Sequence, residues 1–184
     1  MKDIAQRAVS ELGVAIAGVN QPSVEKACEA IVSARRIMLY GCGREALQIK
    51  GFAMRLHHLG CDVSMQGDMS APPLREGDLF IASAGPGELS TVTALMTVAR
   101  DAGADVLFLT AQPDTASAGL ATLVLPIPAQ TMADDRTQAA TSVLPMGSLY
   151  EGTLFVLFEV IVLMLSKSMQ VDADAMRARH TNME

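Results

Sequence analysis

The sequence has no tryptophan, and only 4% of its residues are aromatic. Core volume must therefore come from Leu, Val, Ile, Ala and the twelve Met, a composition that suits helices stacked on a sheet. Cysteine is scarce as well. Cys28, Cys42 and Cys61 are odd in number and lack a Cys-x-x-Cys spacing, which excludes a disulfide framework and implies reduced thiols in a cytoplasmic protein. Positive charge is neither abundant nor clustered. The net charge is −6 with no block of like charge, so a nucleic-acid surface, which needs grouped Lys and Arg, is not expected. No long apolar run is present: the strongest membrane candidate, 152–165, is interrupted by Glu159 and preceded by Glu151. It reads as a helix buried in the core or in a subunit interface. The N-terminus leads into an amphipathic pattern and not a signal peptide, and neither repeats nor low-complexity tracts are found. The expectation is one domain spanning 1–184, soluble and not membrane-bound.

Two helical stretches precede any strand. Residues 3–19 place Ile4, Ala8, Leu12 and Ala15 near helical spacing, and Gly18, Asn20 and Pro22 stop that helix. Ser23 and Glu25 open a second, with Val24, Ala27, Cys28 and Ile31 inward. Residues 1–34 are thus expected as a helical arm, either an outer layer or a grip on a second subunit.

From 35 to 126 the pattern alternates. Strands are predicted at 36–40, 62–65, 78–83, 104–110 and 123–126, with helices at 44–59, 88–102 and near 115–119. This order predicts an α/β fold with a parallel sheet covered on both faces. Residues 127–146 carry no clear pattern and read as a long functional loop. The most apolar helix runs from 147 to about 169, and a final polar helix from Asp172 reaches His180, so 147–184 form C-terminal helices.

Two glycine turns stand out, Gly41-Cys42-Gly43 and Ala84-Gly85-Pro86-Gly87, each between a strand and a helix. In a parallel sheet both fall at the carboxyl ends of strands, where backbone N–H groups and a helix N-terminus face ligands. A shared small-molecule site is expected there. A Rossmann dinucleotide site fits less well, because Ala46 replaces the third glycine and no acidic residue ends the strand near 63–65; the Walker pattern is absent.

Three further stretches carry a resemblance. Gly41-x-Gly43-Arg44 is followed by Phe52-Ala53-Met54-Arg55-Leu56-His57-His58-Leu59-Gly60. Later come Pro145-Met146-Gly147-Ser148-Leu149-Tyr150-Glu151 and the ending Arg179-His180-Thr181-Asn182-Met183-Glu184. In this order they resemble the sugar isomerase (SIS) domain family, and within it the 6-phospho-3-hexuloisomerases, whose signatures read Pro-Met-Gly-Thr/Ser-Leu-Phe-Glu and His-Ala-Asn-Leu-Glu. The resemblance implies a three-layer αβα sandwich with a five-stranded parallel, flavodoxin-like sheet, assembled as a homodimer or homotetramer with sites near subunit interfaces. It also implies a reaction without metal or other cofactor, in which a ketone moves between C3 and C2 of a hexulose 6-phosphate through an enediol, giving fructose 6-phosphate. By position Glu151 is the carried-over base, His58 and His180 are candidates for proton transfer at oxygen, and Arg44 is a candidate for holding an oxygen or the phosphate. Gly41, Gly43, Arg44 and Glu45 of the first turn, with Ala84, Gly85, Gly87 and Glu88 of the second, are the implied substrate-binding positions. Each has a plainer reading: Glu151 complements a helix dipole, His58 contacts the last carbonyls of its helix, His180 is a solvated tail residue, and Arg55 is an ion-pair partner.

The departures from the family fall on its phosphate cradle. The usual Gly-Arg-Ser-Gly is here Gly43-Arg44-Glu45-Ala46, and the usual Ser-Gly-Ser-Gly-Glu-Thr is Ala84-Gly85-Pro86-Gly87-Glu88-Leu89. Four hydroxyl donors are lost, Pro86 removes an N–H, Glu45 adds a carboxylate, and Met132 stands where a basic residue is usual. Three readings follow: an isomerase of a phosphorylated hexulose, an isomerase of a free or acidic sugar, and a non-catalytic module that binds a sugar.

Overall fold

The computed structural model describes residues 1–136 and 141–183, so residues 137–140 of the long loop and Glu184 of the tail motif lie outside the described residues. Five parallel strands form one sheet in the order β2-β1-β3-β4-β5: β1 (Ile37–Gly41), β2 (Val63–Met65), β3 (Leu79–Ser83), β4 (Asp105–Thr110) and β5 (Leu123–Pro126). This flavodoxin-like order reverses direction between β1 and β3, the place where open α/β sheets bind ligands. Register runs Gly41 opposite Ser83 and Ser83 opposite Leu109, so the two glycine turns leave the sheet side by side.

The sheet is buried on both faces, which is why its strands read as apolar runs and not as alternation. Ile37, Leu39, Ile81, Leu107 and Leu125 pack under α1 (Lys2–Ala17), α2 (Gln21–Ser33), α3 (Glu45–Leu59) and α5 (Ser148–Ser168). Met38, Phe80, Val106 and Phe108 face α4 (Ser90–Asp101) and a short 3-10 turn at Ala118–Leu120. The polar C-terminal helix α6 spans Ala173–Ala178. Element ends differ from the sequence reading by a residue or two, as fraying termini do, except that the short helix expected near 115–119 is only the 3-10 turn at Ala118–Leu120.

Local chemistry explains most boundaries. Asn20 and Pro22, expected as stops, instead begin α2: the Asn20 side chain accepts from the Ser23 N–H at 3.0 Å, and Pro22 sits in the first turn, where no donor is needed. Gly60 ends α3 in the left-handed region at φ 96°. Ile4, expected inward, is exposed, and α1 meets the core mainly through its second half, where Ala15 is buried. Glu11 of α1 accepts from Ser142 Oγ at 2.5 Å and from the Val143 N–H, tying the arm to the long loop.

Helix α5 spans 21 residues, within a residue of the predicted 147–169 at each end. Unlike the shorter run 152–165 read from the sequence, it is by length and composition long and apolar enough to cross a membrane. Half of that stretch is buried in the protein, against α3, α1 and the sheet. Glu159, the charge that interrupts its apolar run, forms a two-bond ion pair with Arg55 of α3 at 3.2 and 3.3 Å, the structural role expected for Arg55.

Candidate functional site

The two turns and the N-terminus of α5 enclose a cleft of about 460 Å³. Its floor is Cys42 to Glu45, one wall is Pro86 and Leu89, and the other is Thr131, Met132 and Met146 to Glu151. The wall facing the floor is set by backbone conformation. Met146 holds φ 56° and Gly147 φ 79°, two consecutive left-handed residues that aim the start of α5 into the cleft. Met146 bears a side chain there, which costs about 1–2 kcal/mol. Two bonds offset this: its carbonyl accepts from Arg44 Nη2 at 2.6 Å, and its N–H donates to the Asp135 carboxylate.

Arg44 ties the first turn to the third motif. Its Nη2 also reaches Ser148 Oγ at 3.3 Å and Glu151 Oε2 at 3.0 Å. All three contacts use one nitrogen, which leaves the Nε and Nη1 donors without a protein partner among the described residues. The Glu151 side chain is only 16% exposed while that of Arg44 is 53% exposed. Burial pushes the Glu151 carboxyl above its ordinary range, and the Arg44 charge and hydrogen bond oppose that rise. A carboxylate so placed can accept a proton from carbon near neutral pH while an adjacent guanidinium steadies negative charge on oxygen.

Glu45 does something the sequence did not disclose. Its side chain crosses from the first turn to the second and lies on the end of β3. Oε2 accepts from Ser83 Oγ at 2.6 Å, and the Gly85 N–H donates to both oxygens at 3.1 and 3.2 Å. The Tyr150 hydroxyl shares Ser83 Oγ at 3.2 Å. Burial raises the Glu45 pKa most, Ser83 and Gly85 pull it back, and the Glu151 charge raises it again. The phenol of Tyr150 is held well above its usual range by burial and by the Glu45 charge. Ser83 and Tyr150 were not singled out as site residues. The available signal was paired change: where the related signature has Phe, Tyr150 supplies a hydroxyl, in the chain that exchanges the cradle serines for Glu45.

Glycine is required at two of the second-turn positions. A Cβ on Gly85 would meet the Tyr150 ring at 3.0 Å, and one on Gly87 (φ 89°) would meet Gln112 Cβ at 2.7 Å. Gly41 closes β1, and Gly43 takes φ 56° in the first turn. Ala84 is buried behind the turn. Glu88 turns away from the cleft and accepts from the Ala116 N–H at 3.1 Å, bracing the segment after β4.

His58 and His180 are not brought to this cleft within one chain. His58 is buried at the C-terminal end of α3, the opposite end from Glu45, with its ring 5.1 Å from that of His180. Arg179 contacts a terminal α3 carbonyl, donating to His58 O at 3.0 Å. Among the described residues no group of three His, Cys, Asp or Glu side chains could hold a metal ion.

An open parallel sheet with paired glycine turns and a carboxylate–guanidinium pair over its switch point defines an α/β domain built to bind and act on a small polar molecule. The chain belongs to the SIS domain family, whose model matches residues 30–154. It is 31% identical to 3-hexulose-6-phosphate isomerase of Bacillus subtilis over 96% of this chain and 95% of that protein. It is 34% identical to 3-hexulose-6-phosphate isomerase of Mycobacterium gastri over 95% of this chain and 86% of the relative. Among solved structures, a hypothetical protein of Methanococcus jannaschii, whose structure was described as inferring a 3-hexulose-6-phosphate isomerase function, superposes with TM-score 0.85. That match covers both chains fully at 20% identity.

Proposed function

We propose that the chain is a sugar isomerase that moves a carbonyl between neighbouring carbons of a hexulose, the reaction type for which its Bacillus and Mycobacterium relatives are named. The observation that carries this reading is the half-buried Glu151 carboxylate paired with Arg44 at the mouth of the cleft. Glu151 removes the proton from the hydroxyl-bearing carbon beside the ketone. The electrons form the enediol double bond, and the proton returns to the former carbonyl carbon. The Nε and Nη1 donors of Arg44, which have no protein partner among the described residues, steady the oxygen that becomes negative on the way. The Met146 carbonyl and Ser148 Oγ, at the start of α5, hold Arg44 in place beside Glu151. Proton transfer at oxygen by His58 and His180 requires that a second copy of the chain present them, and self-association through the outer face of α5 is part of the same proposal.

Solvent-exchange NMR tests the reading directly. Incubation with fructose or fructose 6-phosphate in D2O is expected to introduce deuterium at C3, the hydroxyl-bearing carbon beside the ketone that shares the enediol, and Glu151→Gln is expected to stop it. Failure of the wild-type protein to label either sugar removes the isomerase reading and favours a module that only binds.

A further inference from the structure

The second glycine turn has no donor left for a substrate anion. Of its four residues, Ala84 donates its N–H to Leu109 O at 3.1 Å and Gly87 donates to Ala84 O at 2.9 Å. Pro86 has no N–H. Gly85 donates to Glu45. The hydroxyl that ends β3 just before the turn, Ser83 Oγ, also lies on Glu45 at 2.6 Å, and the hydroxyls of Thr110 and Thr115 donate to Gly85 O and Gly87 O at 3.4 Å. The turn cannot slide to free these groups, because Gly85 O is itself fixed by the Ala111 N–H at 3.1 Å. Gly85 is further confined by the Tyr150 ring, and Gly87 by Gln112 and Thr115. An anion is therefore already bound at the end of β3, and it belongs to the protein.

Charge points the same way. The residues lining the cleft include two carboxylates, Glu45 and Glu151, and one guanidinium, Arg44, which already pairs with Glu151. A phosphate dianion entering beside Gly85 would meet a carboxylate that has no ion-pair partner among the described residues. A carboxylate accepts at about four lone-pair positions. Glu45 uses three in its bonds to Ser83 and Gly85, so a hydroxyl donor from the cleft is the partner that completes it.

We propose that Glu45 is the specificity-determining residue of the cleft. By standing in for an anion on Ser83 and Gly85, it makes the second glycine turn a seat for a neutral polyol end and closes it to phosphate. The substrate class is accordingly a non-phosphorylated keto-sugar, a conclusion that rests on the sugar-binding reading of the cleft. The exclusion of phosphate does not depend on that reading.

Titration calorimetry at pH 7.5 with inorganic phosphate, fructose 6-phosphate and fructose tests both parts on the wild-type chain, Glu45→Ser and Glu45→Ala. The wild type is expected to give no heat with inorganic phosphate and to bind fructose at least tenfold more tightly than fructose 6-phosphate. In both variants Ser83 and Gly85 are released, and the preference is expected to reverse by at least tenfold. Wild-type protein that binds fructose 6-phosphate tenfold more tightly than fructose overturns the proposal whether or not the variants fold. If no sugar binds any form but a variant gains phosphate binding, Glu45 is upheld as the anion stand-in, and the sugar reading of the cleft fails by itself. Unchanged phosphate binding in variants with wild-type thermal unfolding also overturns the proposal.

Discussion

Glu151 and Glu45 sit in one cleft with different neighbours, and their behaviour on titration should differ accordingly. Glu151 faces Arg44 at 3.0 Å and is the candidate base. Replacing it with Gln keeps the shape and most hydrogen bonds but removes the proton acceptor, so turnover is expected to fall roughly 100- to 10,000-fold with thermal unfolding little changed. The acid limb of kcat/KM reports the same group. Because burial raises its pKa while Arg44 opposes the rise, Arg44→Met is expected to move that limb to higher pH; an unmoved limb assigns it to another residue. Glu45 bears on stability. Its folded-state pKa lies above the ordinary carboxylate value of 4.5, so the folded chain holds that proton more tightly than the unfolded chain. The stabilising contribution is complete below that ordinary value and is lost as pH rises through the raised one. Glu45→Gln is expected to flatten this decline in urea midpoints measured from pH 4 upward.

At the scale of elements, the site depends on turns whose glycines are not exchangeable. Gly87→Ala places a Cβ 2.7 Å from Gln112 Cβ and 2.8 Å from Thr115 Cγ2 at φ 89°. A loss of about 1–3 kcal/mol is expected, read as a lower urea midpoint at unchanged slope. Gly13→Ala in α1, with open space around its Cβ, should instead gain about 0.5–1 kcal/mol. Such turns are also what made the fold readable. Gly41, Gly43, Gly85 and Gly87 punctuate apolar runs, and alternation with helices dictates a parallel sheet, so strands and layers were visible in the residues alone. Asn20 and Pro22 misled because a cap and a stop use the same residue types, and only the bond to Ser23 separates them. The internal wiring of the site was less visible. The Arg44–Glu151 pair spans more than a hundred positions, and the carboxylate of Glu45 reaches partners 38 and 40 residues away. Spacing along the chain says nothing about such contacts. What the residues did disclose was that the cradle hydroxyls were gone and a carboxylate had appeared, without showing that the second fact answers the first.

For the whole molecule, α5 presents an unresolved excess of apolar surface. One face is buried by α1, α3 and the sheet, yet on the other Phe155 is 59% and Leu163 70% exposed, with Val160 between them. Phe155 borders a groove on α3 lined by Leu47, Gly51 and Met54, and the exposed residues continue from there along the helix. A helix apolar on all sides is usually a buried one, and the proposed self-association would cover this face with a second copy of itself, cyclic pairs being the commonest assemblies. The chemistry gives a reason for such a pairing. Within one chain His58 and His180 lie at the far end of α3 from Glu151, so the proposed proton transfer at oxygen needs another chain to bring them to this cleft. Sedimentation equilibrium at micromolar concentration is expected to return a dimer or tetramer, and Phe155→Glu with Leu163→Glu is expected to return a folded monomer. If association serves only to cover apolar surface, the monomer should keep its turnover. If the histidines act across the interface, turnover should fall with the dimer population while sugar affinity at the Arg44–Glu45 floor is retained. Mixing His180→Ala with Glu151→Gln chains would then restore a fraction of the lost rate, because some mixed pairs hold one intact cleft.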